Sequence, residues 1–224
     1  MTRRAVALLS GGMDSAVAAA WARREEEYAL VTLAVDYGQR HRAELAASQA
    51  ISDWLGADEH VVLGIDLRPV GGSALTSDAE VPKGETAQGI PSTYVPARNT
   101  FLLSLALGLA ETRSAEGIVI GVNRIDYSGY PDCRPEFLAA FQQVADLGTR
   151  AGVSGGAPRL LAPLVDHSKR AIVELGLRWG VPFDRTVSCY DATSDGRACG
   201  LCDACRLRRD GFVAAGVPDP TRYA

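Results

Sequence analysis

The sequence predicts an α/β fold, a mostly parallel sheet with flanking helices, carrying a four-cysteine site near its C-terminal end. Three observations support that expectation. Short apolar runs alternate with helical patterns, the order expected of β-α-β units. The first run, Ala5-Val6-Ala7-Leu8-Leu9, is apolar throughout, as in a strand covered on both faces. Four of the five cysteines, Cys189, Cys199, Cys202 and Cys205, fall close together. The 224 residues, 47% hydrophobic and 22% charged, suffice for one α/β body with a small appendage. We expect the body over 1–185 and a cysteine-bearing segment over 186–224 packed on it.

The elements follow in order. After the first strand, Gly11 and Gly12 turn the chain, and Asp14 to about Glu27 reads as a helix. Leu30 to Val35 is a second apolar strand, and His41 to Leu55 a second helix, stopped by Gly56. Glu59 to Leu63 is a third strand. From Asp66 to about Ala97 glycines and prolines punctuate a long loop, a length that is usually functional in a compact domain. Arg98 to Glu111 is a helix with Leu102, Leu103, Leu105, Ala106 and Leu109 on its apolar face. Gly117 to Val122 is a fourth buried strand, and Asn123 to Arg134 a polar, tyrosine-rich loop. Pro135 opens a helix where its missing N–H costs nothing. Leu160 to Leu164 is a short strand and turn, and Lys169 to Trp179 a helix ended by Gly180. The cysteine cluster occupies 186–210, and a short tail follows.

Charge and hydropathy exclude several classes. A net charge of −4 with no basic run disfavours general binding to nucleic acid, which rests on phosphate neutralisation. No apolar stretch approaches the roughly 18 residues that span a bilayer. The segment after Met1-Thr2-Arg3-Arg4 is too short for a signal peptide. We therefore expect a cytoplasmic protein without a membrane or nucleic-acid partner.

Ser10-Gly11-Gly12-Met13-Asp14-Ser15 lies between the first strand and its helix. Glycine allows close approach to a ligand, and the helix N-terminus offers free N–H groups to an anion. Ser10 and Ser15 add hydroxyl donors. There is no P-loop lysine to hold a γ-phosphate. Asp14 in such a cradle needs either a bridging Mg²⁺ or a capping role.

The cysteines are spaced Cys189-x9-Cys199-x2-Cys202-x2-Cys205. Thiolates separated by two residues can chelate one ion, and four fill a tetrahedral Zn²⁺ site with no catalytic vacancy. We expect one structural zinc per chain; an iron–sulfur cluster is the rival reading. Cys133 stands alone in the polar loop and reads equally as a buried small hydrophobe or a substrate-facing group.

Open α/β sheets bind ligands beyond the carboxyl ends of their strands. The segments that follow those ends are Asp36-Tyr37-Gly38-Gln39-Arg40-His41, then Tyr94 to Asn99, then Asn123 to Phe137. Each concentrates donors, acceptors and rings. The glycine turn resembles the pyrophosphate loop of the N-type ATP pyrophosphatases (PP-loop proteins). Together SGGMDS, DYGQRH, VPARNTFLLSLA, GVNRIDYSGYPDCRPEF and SCY…CGLCDACRLRRDGF…DPTRY resemble the 7-cyano-7-deazaguanine synthases of the queuosine pathway. The resemblance runs from about residue 5 to the end. It implies an adenine nucleotide alpha-hydrolase-like, Rossmann-like fold, a four-cysteine zinc site and a homodimer. It also implies a ligase that makes 7-cyano-7-deazaguanine from 7-carboxy-7-deazaguanine, ammonia and ATP, with Mg²⁺.

On that resemblance, Leu8, Leu9, Ser10, Gly11, Gly12, Met13, Asp14, Ser15, Tyr37, Gln39, Arg98, Asn99 and Lys169 bind ATP. Asp14, Ser15, His41 and Arg98 are the catalytic candidates. Asp126, Tyr127, Ser128, Tyr130, Asp132, Cys133 and Arg134 would hold the deazaguanine, with Arg134 on its carboxylate. The other open readings are a different PP-loop adenylating enzyme, tRNA-modifying or amidotransferase-type, and a non-enzymatic zinc- and nucleotide-binding module.

Overall fold

The structure is a computed structural model that describes residues 3–39, 43–84, 89–125, 129–193 and 195–224. Five strands form one sheet: β1 Arg4–Leu8, β2 Ala29–Asp36, β3 Glu59–Gly64, β4 Gly117–Val119 and β5 Arg159–Leu161. Their order is β3-β2-β1-β4-β5, and every neighbouring pair is parallel. The helices are α1 Met13–Arg24, α2 Ala43–Leu55, α3 Arg98–Thr112, α4 Pro135–Gly148, α5 Arg150–Val153, α6 Lys169–Trp179 and α7 Asp203–Ala214.

Residues along β1 alternate between two cores, as the pleat requires. Val6 and Leu8 pack with Leu103 and Ala106 of α3 and with Leu138 and Phe141 of α4. Ala5 and Ala7 pack with α1, with Ile51 of α2 and with Ile172 of α6. Both faces of β1 are thus covered, which is why it reads as an unbroken apolar run. The buried residues of α1 are mostly alanine, so the helix lies close against the centre of the sheet.

Several boundaries differ from the sequence reading. The first helix ends at Arg24, not Glu27, where Glu27 takes a left-handed turn into β2. The fourth strand stops at Val119 rather than Val122. Just beyond it the Ile120 N–H still bonds across, to Leu161 C=O at 2.9 Å. There the chain turns off the sheet because Gly121 packs on the N-terminus of α1. A Cβ on Gly121 would stand 2.8 Å from the Ser15 nitrogen, so only glycine fits. The cysteine region contains a full helix, α7, which the spacing of its cysteines and arginines conceals. Its Phe212 enters the α1 side of the core, edge-on to Phe183 at 5.1 Å. Arg208 of α7, 2% exposed at its side chain, pairs with Asp219 at 3.1 Å.

Strand order reverses between β1 and β4, the switch point where doubly wound sheets open a crevice. The SGGMDS turn leaves one of those strands and Gly121 follows the other. Among the described residues no helix is long and apolar enough to cross a membrane.

Candidate active site

A cavity of about 240 Å³ opens at this switch point. The glycine turn forms one wall. Gly11 takes φ +84°, and a Cβ there would stand 2.3 Å from Glu44 C=O, so α2 seats directly on the turn. Ser15 Oγ lies within hydrogen-bond distance of Ser10 N (3.2 Å), Ser10 Oγ (3.0 Å) and Gly12 C=O (3.1 Å), which ties the turn into one unit. The N-cap of α1 is Gly12, which has no side chain to cap with. Ser188 supplies the missing acceptor instead: its Oγ takes the Met13 N–H at 3.1 Å.

Asp14 projects from the first turn of α1. Its Oδ2 accepts from Lys169 Nζ at 2.6 Å and from Asn123 Nδ2 at 3.3 Å. Its Oδ1 is buried with no hydrogen-bond partner among the described residues. A carboxylate oxygen so placed fits a hard cation brought in with a polyphosphate. Lys169 stands at the first position of α6, is buried, and lines the cavity. Helix geometry thus brings it to the glycine turn, as a P-loop lysine would be, but from a distant element.

The cavity is also lined by Tyr37, Gln39, Glu44, Arg98, Asn99, Tyr130, Cys133 and Tyr190. The Arg98 guanidinium lies 5.8 Å from the centroid of the Tyr37 ring. Burial pushes the Tyr37 hydroxyl up, against the opposing effect of Arg98. Burial also pushes the Glu44 carboxyl up to about 7, again opposed by Arg98. A carboxyl in that range can carry a proton on or off at neutral pH. Gln39 turns back to accept the Tyr37 N–H at 2.8 Å. The Tyr130 hydroxyl lies 3.0 Å from Thr93 Oγ1, and its ring sits 6.1 Å from that of Tyr94.

The residues expected to hold a purine-like ligand divide into three groups. Tyr130 and Cys133 line the cavity. Asp132 and Arg134 do not appear among its lining residues. Asp132 is buried and caps α3, its Oδ2 accepting the Asn99 N–H at 2.8 Å. Arg134 is exposed at the N-cap of α4, because Pro135 starts that helix on the outer side of the loop. Asp126, Tyr127 and Ser128 lie outside the described residues, as does His41, a catalytic candidate. Asn99 faces the cavity, but its side-chain amide donates to Asp132 C=O (2.9 Å) and Cys133 Sγ (3.2 Å), so it braces the loop.

Leu8, Leu9, Ser10, Gly12, Met13, Asp14, Ser15, Tyr37, Gln39, Arg98, Asn99 and Lys169 come together around this one cavity. Gly11 backs the turn. Glu44, Asn123, Ser188 and Tyr190 were not singled out as site residues from the sequence. Ser188 and Tyr190 flank Cys189, and that adjacency is the signal that could have found them.

The four cysteines form a second centre. Their sulfurs all lie within 4.8 Å of one another, and Cys189, Cys202 and Cys205 are buried. Four thiols this close cannot all ionise without a cation among them. Cys189 is pushed up, chiefly by its hydrogen bond with Cys202, and Cys202 is pushed down, chiefly by Cys189. Backbone N–H groups of Asp191 (3.3 Å) and Cys199 (3.2 Å) point at Cys189 Sγ. The donor set and its compactness fit a tetrahedral soft-metal site.

The fold defines the class: an α/β protein built on one parallel, doubly wound sheet with a cavity at its switch point. The fold is shared with the solved NMN synthetase of Francisella tularensis, at a TM-score of 0.52 and 18% identity, over 97% of this chain and 79% of that one. The family model described as Queuosine biosynthesis protein QueC matches residues 4–216, and the chain belongs to that family. A relative from Pseudomonas paraeruginosa named 7-cyano-7-deazaguanine synthase is 58% identical over 99% of this chain and 98% of its own length. Another of the same name, from Cupriavidus pinatubonensis, is 54% identical over 100% and 99%.

Proposed function

We propose that this protein is an ATP-dependent ligase converting 7-carboxy-7-deazaguanine and ammonia to 7-cyano-7-deazaguanine. The observation that carries this reading is a single cavity that the glycine turn lines together with Tyr37, Tyr130 and Arg98, in a chain of the QueC family.

A carboxylate is a poor electrophile, and its oxygen is a poor leaving group. Transfer of AMP makes a mixed anhydride that ammonia can attack. The resulting amide still holds one oxygen, so a nitrile requires a second activation. The SGGMDS turn receives the pyrophosphate leaving group through its N–H donors and the end of the α1 dipole. Asp14 would hold the Mg²⁺ that accompanies ATP, which would supply charge neutralisation at the phosphates, and Lys169 holds Asp14 in place while adding positive charge there. Arg98 serves the nucleotide phosphates, and Tyr37 and Tyr130 offer ring faces to adenine or to the deazaguanine. Tyr127, Asp126, Ser128 and His41 remain candidates for substrate contact from their sequence motifs. Cys189, Cys199, Cys202 and Cys205 hold one Zn²⁺ whose function is structural, since four protein thiolates leave no vacancy. We read 1–185 as the nucleotide-binding body and 186–224 as the zinc-binding segment on it, and we expect a cytoplasmic homodimer.

The test is product analysis. With ATP, ammonia and 7-carboxy-7-deazaguanine, the expected products are AMP, pyrophosphate and the nitrile, resolved by chromatography and mass spectrometry. ADP without AMP would sink the adenylation mechanism.

A further inference from the structure

The segment 187–190 belongs to two sites at once. The Val187 N–H donates to Gly11 C=O at 2.9 Å, inside the glycine turn. Ser188 Oγ accepts the Met13 N–H at 3.1 Å, at the start of α1. Cys189 is one of the four clustered thiols, and Tyr190 returns to the cavity wall. Three consecutive peptide units therefore link the thiolate centre to the turn.

Ser188 also lines the cavity. A hydroxyl has one proton to donate and two lone pairs. With one lone pair taken by the Met13 N–H, the proton remains for an anion oxygen beside the turn. Its position follows from its neighbour, because Cys189 Sγ is held by the Asp191 and Cys199 N–H groups and by the other sulfurs.

We propose that Ser188 is an anion-binding and positioning residue of the nucleotide site, and that metal held by the four cysteines sets its place. This rests on reading the turn as the pyrophosphate site. Because coupling between two sites is reciprocal, an anion on the turn must in return retain the metal.

The experiment uses the full, metal-loaded protein and inorganic pyrophosphate with Mg²⁺ as the probe. Calorimetry compares wild type, Ser188→Ala and Ser188→Thr, and a colorimetric chelator follows metal release with and without pyrophosphate. Loss of a hydrogen bond to a charged group should weaken pyrophosphate binding about tenfold or more in Ser188→Ala, with metal content and melting temperature kept. Ser188→Thr should recover most of that affinity. Pyrophosphate should slow metal release from wild type but not from Ser188→Ala; the solution chemistry is identical for both. Unchanged pyrophosphate affinity in Ser188→Ala, or equal effects on metal release in both proteins, would overturn the proposal. A wild type that binds neither pyrophosphate nor ATP would overturn the nucleotide reading of the turn as well, a result distinguishable from failure of Ser188 alone.

Discussion

Asp14 stands where two demands meet: its Oδ2 is fixed by Lys169 at 2.6 Å, and its Oδ1 is buried with no hydrogen-bond partner among the described residues. A helix cap does not require that arrangement, and a cation site does. Asp14→Asn keeps the shape and the α1 helix but removes the charge. We expect turnover to fall on the order of 10²-fold or more, the scale seen when a positioned charge stabiliser is removed, with a melting temperature close to wild type. Near-normal turnover with a lowered melting temperature would make Asp14 a structural group only. The glycine turn was legible because its residues are consecutive and their spacing is itself the signal. Lys169 was half legible, as a helix-starting lysine read toward a phosphate; its pairing with Asp14 was not read. Glu44 and Ser188 were not, because Glu44 reaches the turn from α2 with no local pattern to mark it, and Ser188 comes from beyond α6, marked only by its place beside Cys189.

At the scale of elements, β1 and α1 were readable because burial on both faces imposes continuous apolar sequence. The end of β4 was not, since Ile120 and Val122 are buried and apolar whether or not they lie in the sheet. Helix α7 was hidden for the opposite reason: it buries Arg208, a residue that normally marks a solvated face. Arg208 donates to Thr186 Oγ1 at 2.6 Å and Phe183 C=O at 2.9 Å as well as to Asp219. Burial alone would raise the Asp219 carboxyl, but hydrogen bonds from Tyr223 and Thr221 and the Arg208 charge hold it below its ordinary value. Its contribution to stability is therefore present above the unfolded carboxylate pKa, near 3.9, and is lost as pH falls through the lower folded value. Arg208→Met leaves that carboxylate buried without its cation. We expect a loss of roughly 3–5 kcal/mol near neutral pH, measured by denaturant unfolding. The deficit should shrink as pH falls through the carboxylate range, because protonation relieves the stranded charge. A deficit independent of pH would assign the effect to lost packing against Phe183 and Phe212 instead.

For the whole molecule, the four cysteines hold more than their own segment. Lys83, in the long loop after β3, forms an antiparallel bridge with Cys202, and the Gly84 N–H donates to Leu201 C=O at 3.2 Å. Lys83 Nζ also pairs with Asp191 at 2.9 Å. Leu75 of the same loop reaches the cavity wall. The four-cysteine cluster thus adjoins three things: the C-terminal segment, the long loop and, through Val187 and Ser188, the glycine turn. Most of both cores against the sheet comes from other elements, although Cys189, Cys202 and Cys205 border one of them and Phe212 enters the other. Cys202→Ser removes the ligand that shares the Lys83 bridge, and metal binding at such a site is largely folding free energy. We expect the metal to be lost, with protease cleavage appearing both in the loop between β3 and α3 and in the C-terminal segment. Peptides from β1, β2 and α1 should stay protected, and activity should fall in parallel with the cleavage. Metal analysis, limited proteolysis and mass spectrometry of the fragments check each part. Cleavage confined to the C-terminal segment would show that the loop is held by its own contacts, with the metal serving one segment only. A variant that keeps its metal and its protease resistance but loses the reaction would point to a catalytic ion, against the closed set of four thiolates.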